Sequence, residues 1–104
     1  MNTTVNFVAA VCVLLGIAGS AQAAGDAAAG KAQSTKCAGC HGADGKGQGN
    51  NPPLAGKDAQ YFVKQMRDYR SGARKHSLMN MMAKPLSDQD IADLAAYYAS
   101  LKSK

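Results

Sequence analysis

The 104-residue sequence contains no tryptophan, only three prolines and few aromatic residues. It has no apolar run of the roughly 18 residues that a membrane-spanning helix needs. Stretches rich in β-branched and aromatic residues, which favour strands, are almost missing as well. At 46% hydrophobic and 18% charged residues, the chain is nevertheless too apolar for a disordered protein. These features predict one small all-α domain, because the length leaves no room for a second.

The longest apolar segment, residues 7–18, has the features of a secretory signal peptide. It is followed by the small-x-small pattern AQA at 21–23, which is typical of a cleavage site. No Lys or Arg precedes the segment, so an uncleaved N-terminal anchor is the alternative. We expect cleavage after Ala23, with 1–23 as the signal peptide and 24–104 as the mature domain. The protein would then be periplasmic, with no stable membrane insertion.

Two cysteines remain in the mature chain, in the sequence Cys37-Ala38-Gly39-Cys40-His41. An exported cysteine pair can form a disulfide or a redox-active dithiol, but a thioredoxin-like dithiol needs a βαβ context. A structural zinc site would need a second pair of ligands, which this sequence does not contain. A CxxCH segment in an exported protein is instead typical of covalent c-type haem attachment. Cys37 and Cys40 would form the two thioethers, and His41 would bind the iron.

Three segments of the mature chain have helical character. Alanine-rich sequence favours a helix before the haem motif, and apolar residues at helical spacing occur in the other two segments. Asp58 and Ser87 are typical N-caps, while Gly72 is a typical helix end. The predicted helices run from Asp26 to about Lys36, from Asp58 to Gly72, and from Ser87 towards the C-terminus.

Two long segments between these helices lack a clear period. Residues 42–56 hold five glycines and two prolines, and residues 74–85 follow no helical or strand pattern. Loops of this length are unusual in so small a domain. They become reasonable when both pack on a haem. The sequence therefore predicts three main helices and two long loops wrapped around one covalent haem c.

The residue on the other side of the iron determines the chemistry. Met66 lies on the apolar stripe of its predicted helix and is expected in the core. His76 has charged and polar neighbours, so its simplest interpretation is a solvated surface histidine. Spacing and polarity do not distinguish the three remaining candidates, Met79, Met81 and Met82.

Four segments together resemble the soluble class I bacterial cytochromes c, which occur as monohaem carriers or as one half of dihaem cytochromes. They are GDAAAGK at 25–31, CAGCHGADG at 37–45, PPLAGKDAQYFVKQMRDYRSGARK at 52–75 and LSDQDIADLAAYYAS at 86–100. The resemblance implies the small class I cytochrome c fold. It also implies that Met79 is the axial methionine and that the carbonyl of Pro52 accepts the N–H of the haem histidine, which would fix the imidazole tautomer.

Ligation of the iron by His41 and Met79 would leave no coordination position for a substrate and would raise the reduction potential. We therefore expect a one-electron carrier between respiratory or other redox partners, and not an enzyme. The alternative is a peroxidase-like haem enzyme or a gas-binding protein with an open or labile sixth site. In that case Arg74 and His76 would lie in the loop that could assist catalysis.

Basic residues are concentrated in the middle of the chain, which has a net charge of +5. Such residues around an exposed haem edge would steer docking to redox partner proteins with acidic surfaces. Export and the moderate charge argue against nucleic acid as a partner, and a monomer is expected. The basic residues are Lys57, Lys64, Arg67, Arg70, Arg74, Lys75 and Lys84.

Overall fold

The structure is a computed structural model that describes residues 24–102. Its helices in chain order are α1 (Ala27–Gln33), α2 (Thr35–His41), α3 (Ala59–Ser71), α4 (Ser77–Ala83) and α5 (Asp88–Ser100). The only β-type pairing within this range is one bridge between Gln48 and Asn51. The prediction of an all-α fold is therefore confirmed. No helix within residues 24–102 has the length and apolar character to cross a membrane.

Helix α1 crosses α5 with almost no space between the two backbones. A Cβ atom on Gly30 would lie 2.0 Å from the carbonyl oxygen of Asp93, and one on Gly25 would lie 1.9 Å from that of Ala92. The buried side chain of Asp93 also accepts a hydrogen bond from the backbone N–H of Asp26 at 2.8 Å. Since only glycine permits this approach, the crossing fixes where the chain enters α2.

The first predicted helix is divided in two and extends further than expected. The hydroxyl of the buried Ser34 donates to the carbonyl of Lys31 at 2.7 Å, at the junction of α1 and α2. Helix α2 then continues past the predicted end near Lys36 and includes the whole CxxCH segment. It ends at His41, because Gly42 has a positive φ of 88° and reverses the chain.

The bounds of the other two predicted helices agree with the sequence analysis. Asp58 caps α3 by accepting a hydrogen bond from the backbone N–H of Tyr61 at 3.0 Å, and Gly72 ends the helix in the left-handed conformation. A capping box opens α5, in which the side chains of Ser87 and Asp90 each bind the backbone N–H of the other. Because these hydrogen bonds are local, the helix ends could be predicted from the sequence.

The core lies between α3 and α5 and includes residues from α4. The apolar residues Ile91, Leu94, Ala95 and Tyr98 form the buried face of α5. The ring of Tyr98 stacks on that of Phe62 with centroids 5.7 Å apart. Met66 is 7% exposed, as its place in the helical pattern predicted. The buried core cluster consists of Phe62, Met66, Ala83, Leu86, Ile91, Leu94, Ala95 and Tyr98.

The prediction of an irregular segment at 74–85 is wrong over Ser77–Ala83, which form α4. The helix is capped by His76, whose Nδ1 accepts a hydrogen bond from the backbone N–H of Met79 at 3.2 Å. Ala83 at its end is fully buried in the core. A helix of seven residues is shorter than the window of about 11 residues in which a helical apolar period can be recognised, so the sequence pattern did not reveal it.

Candidate haem-binding site

A cavity of about 470 Å³ lies between α2, α3, α4 and the 42–56 loop. Its volume is within the range of small-molecule and cofactor sites. Four buried side chains give it an apolar inner wall: Phe62, Met66, Leu86 and Leu94. All of the residues that the sequence analysis selected for the site line this one cavity, namely Cys37, Cys40, His41, Pro52 and Met79.

Both cysteines lie on the face of α2 that borders the cavity. Residues three apart in a helix are neighbours on its surface, which brings the sulfur atoms of Cys37 and Cys40 to the same wall. Cys37 is half-buried and Cys40 is exposed. Burial raises the pKa of the Cys37 thiol above its ordinary value, and a hydrogen bond with Tyr98 opposes that rise. One sulfur therefore lies deeper along the wall than the other.

The last residue of α2, His41, is buried and has a fixed orientation. Its Nδ1 lies 2.8 Å from the carbonyl oxygen of Pro52. A carbonyl can only accept, so Nδ1 carries the hydrogen and the lone pair of Nε2 remains free for a metal. The loop is held in place from the other side as well, because the N–H of Gly47 donates to the carbonyl of His41 at 2.9 Å.

The structure separates the three methionines of the 74–85 segment. The side chain of Met81 is 65% exposed and does not line the cavity. Met79 and Met82 both line it, since they lie three residues apart on the same face of α4. His76 borders the cavity too, but its Nδ1 is engaged in the cap of α4.

The charges that line the cavity are all positive. They belong to the exposed residues Lys36, Lys57 and Arg74, and no carboxylate is among the residues described around the cavity. The guanidinium of Arg74 lies over the ring of Tyr69 at 4.9 Å and donates to the side chain of Gln65. The protein side chains at the opening would therefore attract an acidic group.

Only part of the predicted basic cluster lies at the cavity. Lys64 pairs with Asp68 at 2.6 Å, and Arg70 pairs with Asp88 at the same distance. The basic residues of these two pairs do not line the cavity. Lys36, which the sequence analysis did not include in the cluster, does line it. The signal for Lys36 was its position directly before the first cysteine.

Two further residues near the site were missed. In the sequence Tyr98 is only an apolar residue at helical spacing in the last predicted helix, yet it opposes the rise in the pKa of the Cys37 thiol. Asn80 fixes the start of α4 through its side-chain amide. Asn80 could not be found from sequence, because its partners are backbone groups that only the fold brings near it.

The donor set and the cavity fit a covalently attached haem. Two sulfurs are available on one wall, an imidazole has its Nε2 free, and two thioethers lie on α4 beside apolar side chains. Cys side chains attach haem c, and His and Met are among the residues that bind haem iron. The fold and the site thus define a small all-α haem protein.

Comparison with known proteins identifies the family. The cytochrome c family model matches residues 27–102. Cytochrome c4 of Pseudomonas aeruginosa is 52% identical over 89 residues, which cover 85% of this chain and 44% of that protein. Cytochrome c-554(548) of Halomonas halodenitrificans is 49% identical over 81 residues, which cover 74% of this chain and 98% of that protein.

A solved structure supports the same conclusion. Reduced recombinant cytochrome c4 from Pseudomonas stutzeri superposes with a TM-score of 0.74 and 42% identity, covering 78% of this chain and 48% of that one. The chain belongs to the cytochrome c family, and its cofactor is covalently attached haem c with its iron. It spans about half the length of the cytochromes c4 that it matches.

Proposed function

We propose that the chain is a one-electron carrier. Cys37 and Cys40 would attach the haem, and His41 and Met79 would bind its iron. The observation that carries this proposal is the gathering of all four side chains on one cavity. The haem supplies an iron that changes between the ferric and ferrous states. With both axial positions taken by protein, no position remains for a substrate.

The surrounding residues suit a carrier because they hold His41 rigidly and keep the inner wall of the cavity apolar. The hydrogen bond from His41 to the carbonyl of Pro52 keeps the imidazole in one tautomer and raises its basicity as a ligand. Phe62 and Met66 keep water from the inner wall. A dry and fixed surrounding lowers the reorganisation that a change of charge requires, since few polar groups must turn.

The choice of Met79 over Met82 rests on the resemblance to class I cytochromes c, and absorption spectra test it. Ferric wild-type protein should show the weak long-wavelength band of an iron–thioether bond, and the ferrous protein should not bind carbon monoxide. Met79→Ala should lose the band, whereas Met82→Ala and the exposed control Met81→Ala should keep it. Loss of the band only in Met82→Ala would overturn the choice. Ready carbon monoxide binding by the wild type would favour an enzyme or a gas-binding protein.

We further propose that the redox partners present acidic surfaces to the cavity opening. Lys36, Lys57 and Arg74 supply positive charge there, and two exposed apolar side chains, Tyr61 and Leu78, supply contact area. Small contacts of this kind are typical of transient electron-transfer complexes. Charge complementarity raises the rate of encounter more than the affinity.

Electron exchange with an acidic redox protein tests this docking proposal. The rate should fall by about tenfold or more between low and high ionic strength. Lys57→Gln should lower the rate at low salt, while Lys31→Gln, an exposed α1 residue away from the cavity, should leave it nearly unchanged. Equal effects of the two substitutions would contradict docking at the cavity.

Export, processing and a monomeric state are part of the proposal. Residues 1–23, which carry the predicted signal peptide, lie outside the described residues. Haem c attachment through Cys37 and Cys40 suits an exported protein. Mass spectrometry of protein from a periplasmic fraction should give a chain that begins at Ala24, and sedimentation should give one copy. A chain that still carries residues 1–23 would refute the proposed cleavage, and a dimer would refute the proposed monomeric state.

A further inference from the structure

We propose that Asn80 is a positioning residue that holds the axial Met79 on the iron. This inference rests on the proposed function, because it takes Met79 to be the ligand. Asn80 is the next residue in α4, and its half-buried side chain makes three hydrogen bonds to backbone groups. The side-chain amide joins α4 to the end of α3 and to the connection between the two helices.

The three hydrogen bonds use both N–H donors of the amide and its carbonyl oxygen as an acceptor. Its Oδ1 accepts from the backbone N–H of His76 at 2.9 Å. Its Nδ2 donates to the carbonyls of Tyr69 and Arg74, both at 2.8 Å. An amide has two N–H donors and one carbonyl acceptor, so each carbonyl takes one donor. No other side chain of similar size supplies both functions.

These contacts matter for Met79 because they fix the backbone of the first turn of α4, whose Met79 side chain packs against the core. The helix has only seven residues, and a helix of that length is unstable on its own. Ala83 anchors its far end in the core. Two contacts hold the first turn. One is made by the Asn80 side chain, and in the other the Nδ1 of His76 accepts a hydrogen bond from the backbone N–H of Met79. Both contacts act on backbone directly beside the ligand.

The α3 end of this connection is itself rigid. Tyr69 belongs to the last turn of a thirteen-residue helix, and α3 also supplies the cavity residues Phe62 and Met66. The N–H of Arg74 donates to the carbonyl of Asp68 at 3.1 Å. Asn80 therefore ties the ligand-bearing turn to the same helix that forms the inner cavity wall.

Two substitutions of Asn80, which differ in size, test whether its amide positions Met79. Asn80→Ala removes all three hydrogen bonds. Asn80→Asp keeps the shape and an acceptor for the N–H of His76, but it replaces the donors with an oxygen that faces two carbonyls. If the amide only fills space, Asn80→Asp should behave like the wild type. If its donors position the ligand, both variants should loosen the iron–thioether bond.

The measurement is binding of imidazole to the ferric holoprotein, followed through the long-wavelength thioether band. Losing two neutral hydrogen bonds should raise the apparent imidazole affinity by about tenfold in Asn80→Asp, and by as much or more in Asn80→Ala. The reduction potential should fall in both variants, since methionine ligation raises the potential and a looser thioether bond raises it less. Each variant is also unfolded with guanidinium, so that stability and ligand affinity are compared.

Ser71→Ala is the matched control. The Ser71 hydroxyl donates to the carbonyl of Asp68 at 3.2 Å and accepts from the N–H of Ala73 at 3.2 Å, at the same helix end. This substitution should lower stability slightly without changing imidazole affinity. The proposal is overturned if Asn80→Asp binds imidazole like the wild type, or if Ser71→Ala raises the affinity equally. Retention of the thioether band in Met79→Ala would instead show that the ligand choice itself is wrong.

Discussion

The contact between α1 and α5 allows a prediction in which two effects of one methyl group oppose each other. Alanine in a helix interior is more favourable than glycine by about 1 kcal/mol. Gly30→Ala in an isolated helix would therefore be stabilising. In this fold the added Cβ would lie 2.0 Å from the carbonyl oxygen of Asp93, 2.6 Å from its carbonyl carbon and 2.8 Å from the Cβ of Tyr97.

Steric overlap should exceed the gain in helix propensity. Two of the three atoms belong to the backbone of α5, which no rotamer change can move, so α1 must retreat by about 1 Å or more. Overpacking of this kind costs about 1–3 kcal/mol. Retreat would also stretch the hydrogen bond between Asp26 and Asp93 and that between Gln33 and Asp90. We expect a net loss of about 2 kcal/mol, which for a domain of this size lowers the Tm by roughly 10 °C.

Far-UV circular dichroism during guanidinium and thermal unfolding of the holoprotein measures this loss. Gly39→Ala is the control, because Gly39 is also helical and a Cβ there would meet no atom of the polypeptide within 4 Å. It should be neutral or stabilising by up to about 1 kcal/mol. If Gly30→Ala is as stable as the wild type, the two backbones are not in contact as described.

Two further predictions concern the start of α5. The hydrogen bond from Arg70, followed by the charge of nearby Arg67, lowers the pKa of Asp88 below its ordinary value of 3.8. A carboxyl with a depressed folded-state pKa stabilises the fold above the unfolded pKa and loses that contribution as the pH falls through the folded pKa. The Tm difference between wild type and Asp88→Asn should therefore be largest near neutral pH and shrink as the pH falls below 3.8; a constant difference would contradict the pairing. Ser87→Ala should cost about 1 kcal/mol in guanidinium unfolding because it breaks the capping box, whereas Ser100→Ala, at the other end of the helix, should cost less.

The parts of the fold that could be predicted depend on local interactions. Asp58 and Ser87 bind backbone groups three residues ahead, and Gly72 takes a left-handed conformation that other residues avoid. Such interactions join residues within about one helical turn, so a short stretch of sequence is enough to predict them. The CxxCH segment is equally local, since its chemistry requires neighbouring residues. Its residues and their class of cofactor could therefore be recognised from the sequence alone.

The parts that could not be predicted depend on contacts between distant segments. Helix α4 exists because Asn80 reaches back eleven residues to the carbonyl of Tyr69 and because Ala83 enters the core. Neither contact leaves a periodic pattern in the sequence. The exclusion of Met81 from the cavity also required the helix, since a loop would not fix which methionines share a face.

The two sides of the iron site are consequently held in different ways. His41 belongs to α2, which directly follows α1, and α1 packs closely on α5 at Gly30. A larger side chain at Gly30 must disturb the packing of α1 on α5 and should lower global stability. The Met79 side belongs to a short helix whose first turn depends on hydrogen bonds from side chains. Because such bonds contribute only about 1 kcal/mol each, the methionine should be released from the iron well before the fold unfolds, whereas the histidine should stay bound until it does.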